Sequence, residues 1–210
     1  MLISKNDLKQ KFQNPLPGQG SHIKMAPSNR MEALFGMRDM IPFAKKSAVL
    51  ILLFPENEHL KIIFIQRSEY EGVHSGQIAF PGGKKEEADI DFVATALRET
   101  FEEIGVESNK IEIIGQLSDL FVPPSNFLIK VYVAFSSEKL DYNIDKNEVQ
   151  SVIEANIADL LDNKNKYEKE FYAGAMGLKI SAPYYKVNNV EIWGATAMIV
   201  SELLDILTTN

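Results

Sequence analysis

Between Phe80 and Val106 the chain reads FPGGKKEEADIDFVATALRETFEEIGV, and no other stretch constrains the fold as much. A Gly-Gly turn passes through an acidic loop into a segment, Asp91 to Ile104, where Val93, Leu97, Thr100 and Ile104 recur at helical spacing. A carboxylate at Asp89 or Asp91 suits the start of that helix, because it caps free N–H groups and complements the dipole. Glu99, Glu102 and Glu103 then lie close together, on roughly the side opposite the apolar stripe. Like charges at that spacing repel by roughly a few tenths of a kcal/mol per pair on an exposed helix, and by more when desolvated. A divalent cation held against a phosphate would remove the penalty. A solvated acidic face is the plain alternative. Arg98, Gly105 and the Pro-Gly-Gly turn weigh against it, since a merely solvated face requires none of them.

Around this stretch the chain alternates strands and helices without a regular βαβ rhythm. Ser47–Phe54 and Leu60–Gln66 are rich in β-branched and aromatic residues, and Pro55 to Glu58 punctuate the gap, so a hairpin is expected. Further strands are expected at Lys110–Gly115, Lys130–Phe135, Val149–Ala155, Tyr184–Val187 and Glu191–Trp193. Phe121–Phe127, with two prolines, reads as a break in the sheet. A short helix follows Asn156, and an amphipathic helix spans Ala195 to Leu207. These elements predict an α/β (α+β mixed) fold with a mixed sheet and helices on both faces. Residues 1–38 read as an N-terminal arm or helical extension, and residues 39–210 as the main domain. The Pro/Gly-rich piece from Asn14 to Arg30 reads either as a loose arm or as a device setting Lys24 and Arg30 beside the substrate.

Chemistry is bounded by what the chain lacks. There are no cysteines, so disulfides, zinc-thiolate sites and thiol nucleophiles are ruled out, and oxygen or histidine must hold any metal. A net charge of -7 argues against a broad electrostatic footprint for nucleic acid or an anionic membrane, but leaves room for a small anionic ligand. With no apolar leader or long apolar run, a cytoplasmic location is expected.

Arg98-Glu99-Thr100-Phe101-Glu102-Glu103-Ile104-Gly105-Val106 resembles the second half of the Nudix box. In the general pattern a glutamate stands eight residues before the arginine; here that position is Ile90, with Asp89 one residue earlier. Upstream, IQRSEYEGVHSGQIAFPGG is similar to the signature preceding the box in coenzyme A pyrophosphatases of this superfamily, which share a loop longer by one residue. Arg67, Ser68, Gly76 and Phe80 to Gly83 match that signature, while Gly72 stands where it has a second arginine.

The resemblance implies a Nudix-type α/β/α sandwich that uses Mg2+ or Mn2+ to split the diphosphate of a small nucleotide of the coenzyme A type. The products would be 3',5'-ADP and (acyl-)phosphopantetheine. A pyrophosphatase for ADP-ribose or another nucleoside diphosphate derivative is the alternative, and a catalytically silent ligand-binding module a third. Neither nucleic acid nor membrane is an implied partner; a homodimer is. Glu102 and Glu103 are the leading metal ligands, Glu99 a further ligand or the general base, and a carbonyl of Gly82 or Gly83 another ligand. Arg98 orients a glutamate, and Glu148 is the candidate for a catalytic carboxylate from a downstream loop. Arg67, Ser68, His74, Gly76, Gly82 and Gly83 are expected at the substrate. Trp193 is read as core.

Overall fold

The structure, a computed structural model, describes residues 4–68, 76–173 and 178–209. Its centre is a hairpin of β1 (Lys45–Glu56) and β2 (His59–Arg67). Asn57 and Glu58 turn the chain with φ of 48° and 66°, the doubly positive geometry that matches the twist of the flanking strands. Pairing therefore runs through Pro55 and Glu56, which the sequence suggested as part of the gap. Leu50–Phe54 and Ile62–Ile65 are wholly buried, as expected for strands covered on both faces.

β3 (Ile78–Ala79) lies beside β2, and β4 (Gly82–Lys84) beside β1. After α4 (Phe92–Ile104) come β5 (Glu112–Gln116), β6 (Leu120–Val122) and β7 (Phe127–Phe135), and β7 runs parallel to β1. β5 and β6 are both antiparallel to β7, and β8 (Val149–Asn156) is antiparallel to β2. Leu120–Val122 thus joins the sheet where a break was expected, and the prolines fall in the turn just after it.

One edge of β1 forks: its first half, Ser47–Val49, pairs with β4, and its last part, Leu53–Glu56, pairs with β2. At the fork the Leu50 N–H donates to the Pro81 carbonyl at 2.9 Å. Side chains alternate between two cores. Leu50, Leu52, Ile63 and Ile65 pack with Ala96 and Ile104 of α4, whereas Ile51, Leu53, Ile62 and Phe64 face the opposite layer.

That layer ends the chain. α5 (Ile157–Leu161) leads to a second sheet of β9 (Lys166–Ala173), β10 (Leu178–Val187) and β11 (Val190–Trp193), then to α6 (Gly194–Thr208). β9 was not foreseen, because KYEKEFY is too charged to read as a strand. α6 also departs from expectation: every residue from Thr196 to Leu207 except Asp205 is buried, so the helix is enclosed rather than amphipathic.

The N-terminal segment packs against it through α1 (Lys5–Lys11) and α2 (Gln19–His22), and α3 (Arg30–Gly36) follows. Glu202, fully buried on α6, meets His22 Nε2 at 2.8 Å and accepts from the Gly18 N–H at 3.1 Å and the Ser118 hydroxyl at 2.6 Å. Burial pushes this carboxyl up, but the bonds from His22 and Ser118 outweigh it, leaving Glu202 below its ordinary value. Lys24 pairs with Asp205 at 2.6 Å and is spent on α6.

Candidate active site

α4 is fixed at both ends by local chemistry. The Asp91 carboxylate accepts from the Ala94 N–H at 2.7 Å, and Gly105 ends the helix at φ 73°, where a Cβ would meet Asn143 at 2.7 Å. Residues Thr95, Ala96, Thr100, Glu103 and Ile104 are buried. The sequence reading set all three glutamates on the side away from the core, and for Glu103 this is corrected: it is 1% exposed because Gly82 covers it. Gly82 comes that close at φ 148°, in a space where a Cβ would lie 2.3 Å from the Ala48 carbonyl oxygen. Gly83 stands over Glu99, and a Cβ there would sit 2.4 Å from the carboxyl carbon.

The loop ahead of α4 has its own anchor. Asp89 is buried and accepts from Arg98 Nε at 2.9 Å, Arg98 Nη2 at 3.1 Å, Thr95 Oγ1 at 2.9 Å and the Glu86 N–H at 2.9 Å. The Arg98 bonds, chiefly, hold its carboxyl far below the usual aspartate range. Ile90, at the position of the general glutamate, is 95% exposed. Arg98 also reaches Glu99 at 3.0 Å, Glu102 at 2.7 Å and the Lys84 carbonyl at 3.2 Å, so one guanidinium ties the loop, strand β4 and two box glutamates together.

Glu103 Oε2 accepts from the Gly82 N–H at 2.8 Å, and its Oε1 lies 3.5 Å from Arg67. Burial drives the Glu103 carboxyl up to about 8, against the Gly82 bond and Arg67, with Glu99 and Glu148 adding repulsion. Glu99 is also raised, first by burial. Glu102 is exposed and turned onto Arg98.

Arg67, Gly82, Gly83, Glu99, Glu103 and Glu148 share a cleft of about 770 Å3. Its other walls are largely apolar and include Val49, Phe127, Ile180, Trp193 and Ile199. Trp193 packs against the small core of Phe171, Ala182 and Tyr184, stacking on Phe171 at 4.3 Å in keeping with its reading as core, and it also lines the cleft. Ser68 and Gly76 are not among the lining residues; the Ser68 hydroxyl donates to the Lys146 carbonyl at 3.1 Å, and its N–H to the Glu148 carbonyl at 2.9 Å. His74 and Gly72 lie outside the described residues. Asp89 and Thr95 were absent from the expected site residues; the one-position offset from Ile90 was the signal that marks Asp89.

The sequence profile of the NUDIX domain matches residues 44–174. The chain belongs to the Nudix hydrolase family. A relative described as the uncharacterized Nudix hydrolase NudL of Yersinia enterocolitica is 28% identical over 142 residues, 68% of this chain and 71% of that protein. Nudix hydrolase 22, chloroplastic, of Arabidopsis thaliana is 34% identical over 165 residues, 74% of this chain and 53% of that protein. Among solved structures, the NUDIX domain of Shewanella oneidensis NrtR complexed with ADP ribose superposes with a TM-score of 0.55 at 19% identity, over 79% of this chain and 89% of that one. A MutT/nudix family protein from Enterococcus faecalis gives 0.52 at 17% identity, over 99% and 81%. The architecture is the Nudix α/β/α sandwich. Among the described residues no helix is long and apolar enough to cross a membrane.

Nudix hydrolases generally use divalent metal ions such as Mg2+ or Mn2+, and the donors of this Nudix site suit one chemically. They are carboxylates and carbonyls, with a like-charged trio at Glu99, Glu103 and Glu148 and a glycine cradle beside Glu99 that a Cβ would fill. Among the described residues no three acidic or histidine side chains converge as a finished cage. Glu102 faces Arg98, with which it pairs at 2.7 Å.

Proposed function

We propose that this Nudix hydrolase splits the diphosphate of coenzyme A or its acyl derivatives into 3',5'-ADP and (acyl-)phosphopantetheine, with Mg2+ or Mn2+ bound. The observation that carries the reading is the loop before α4. Asp89 replaces the general glutamate one position early, and Ile90 is extruded. Such a loop, longer by one residue, is the feature shared with the coenzyme A pyrophosphatases that Arg67 and Phe80 to Gly83 resemble. The cleft supports it too, because an acidic wall beside an apolar lining suits a diphosphate joined to a neutral, partly apolar arm.

Glu99, Glu102 and Glu103, with the Gly83 carbonyl, would hold the ion, which when bound neutralises the diphosphate and the charge building on the leaving phosphate. Arg98 sets the directions of Glu99 and Glu102. The Gly82 N–H fixes one oxygen of Glu103 and leaves the other toward Arg67. Arg67 is the phosphate-binding cation in this reading, and Glu99 or Glu148 takes the proton of the attacking water.

Gly72 favours a second reading, hydrolysis of ADP-ribose, because it removes a cation that the coenzyme A signature carries. Incubation of the protein with each compound and Mn2+, followed by chromatography of the products, decides between them. Release of 3',5'-ADP from coenzyme A is expected; cleavage of ADP-ribose with coenzyme A left intact would overturn the substrate assignment.

A further inference from the structure

The segment carrying Arg30 is fixed to the body of the protein. The Ser28 N–H donates to the Ser181 carbonyl of β10 at 2.9 Å, the Arg30 N–H to the Pro27 carbonyl at 2.9 Å, and the His22–Glu202 contact anchors the chain just before them. Pro27, Asn29, Arg30 and Ala33 all line the same cleft as the box glutamates. Arg30 is half-buried, and burial lowers the pKa of its guanidinium. Its side chain has no hydrogen bond or ion pair among the described residues. The other cleft arginine, Arg67, is already engaged with Glu103. A half-buried cation without a partner is costly, and an anion entering the cleft would offset that cost.

The segment carrying Arg30 comes from a different layer of the fold than the box glutamates. α4 packs on one face of the sheet, while Met25, five residues before Arg30, and α6 belong to the core on the other face. The cleft that Arg30 lines also takes in Val49, Ile129 and Trp193.

We infer that Arg30 is a specificity residue that receives a second anionic group of the substrate, a phosphomonoester carried apart from the scissile diphosphate. The planar fork of a guanidinium matches a phosphate bidentately, and a phosphomonoester brings close to two charges near neutral pH. The inference rests on the coenzyme A reading, in which the adenosine carries such a group at its 3' position.

Equilibrium titration of the full chain with 3',5'-ADP and with 5'-AMP tests it without turnover. The wild type should bind 3',5'-ADP about 10- to 100-fold more tightly, the range of a charge-assisted hydrogen bond in a partly desolvated site. Arg30→Gln should abolish the preference by weakening 3',5'-ADP alone, and Arg30→Lys should keep part of it. An unchanged thermal midpoint shows that each variant is folded. Equal affinity of the wild type for the two nucleotides, or an equal loss for both in Arg30→Gln, overturns the assignment. Turnover of coenzyme A is a separate readout. If it fails while the preference and its loss in Arg30→Gln hold, the substrate reading falls and Arg30 stands; the reverse pattern removes Arg30 and leaves the reaction.

Discussion

Asp89→Asn is the sharpest test of how the site is held together. The substitution keeps the shape and removes the charge, so the Arg98 guanidinium loses its two-pronged partner and an amide nitrogen must face either Arg98 or the Glu86 and Thr95 donors. Charge-assisted hydrogen bonds contribute about 1.5–3 kcal/mol each, and breaking a fully buried pair costs about 3–5 kcal/mol. Arg98 is 24% exposed on its side chain and retains Glu99 and Glu102, so the expected loss is smaller, about 2–3 kcal/mol. In a chain of this size that lowers the thermal midpoint by roughly 4–12 °C. Differential scanning calorimetry gives the number directly, and turnover should fall about 10- to 100-fold as Glu99 and Glu102 lose their orientation. The pH dependence has a defined sign. Because the folded carboxyl lies below its ordinary value, its contribution is present above the usual aspartate pKa of about 3.9 and is lost as pH falls from there, so wild type and variant should converge in acid. Ile90→Glu is the control: at 95% exposure it should change stability by less than about 0.5 kcal/mol. A midpoint for Asp89→Asn within a degree of wild type, or recovery of Asp89→Asn by Ile90→Glu, would refute the assignment of Asp89 as the anchor.

Three further outcomes follow from the same geometry. Glu103→Gln should lower turnover about 1000-fold or more while leaving the thermal midpoint at or above that of wild type, because a buried, repelled carboxyl is replaced by a neutral amide; kinetics beside calorimetry check this. Gly83→Ala should push the Glu99 carboxylate from its place, and activity titrated against Mn2+ should show a right-shifted curve with a loss of about 10-fold or more, whereas an unshifted curve would show that the cradle is not used. His22→Ala strips the imidazole from buried Glu202 and should cost about 2–3 kcal/mol in urea unfolding. The stability that Glu202 contributes lies above the ordinary glutamate pKa of about 4.3 and fades below it, so the variant's deficit should shrink in acid.

Much of α4 was legible because its signals are local: Asp91 at the start, Gly105 at the end and helical spacing between them. The glutamate cluster was legible for the same reason. The burial of Glu103 was not, since it depends on Gly82, a residue brought onto the helix by pairing of β4 with β1. α6 shows the same limit. It was expected to be amphipathic, but His22, Ser118 and Lys24, all far away in sequence, supply partners for its Glu202 and Asp205. β9 escaped notice because its side chains are mostly exposed and charged, so its strand form comes from backbone pairing with β10 rather than from a pattern of burial. The same distance separates Arg30 from the glutamates: the sequence offered it as one of two alternatives, and only the fold distinguishes it from Lys24.

The way the N-terminal segment and α6 close around each other implies a division of labour along the chain. The stretch that matches the family, residues 44–174, carries every carboxylate of the acidic wall, whereas Arg30, Ile180, Trp193 and Ile199 come from before or after it. The acids therefore lie in the shared middle, while part of the cleft wall comes from two flanks that meet in space. A fragment trimmed to the shared middle would keep its acids and Arg67 but lose Arg30, Ile180, Trp193 and Ile199 from the wall. An exchange of flanks between relatives has to move both together, so that His22 keeps its Glu202.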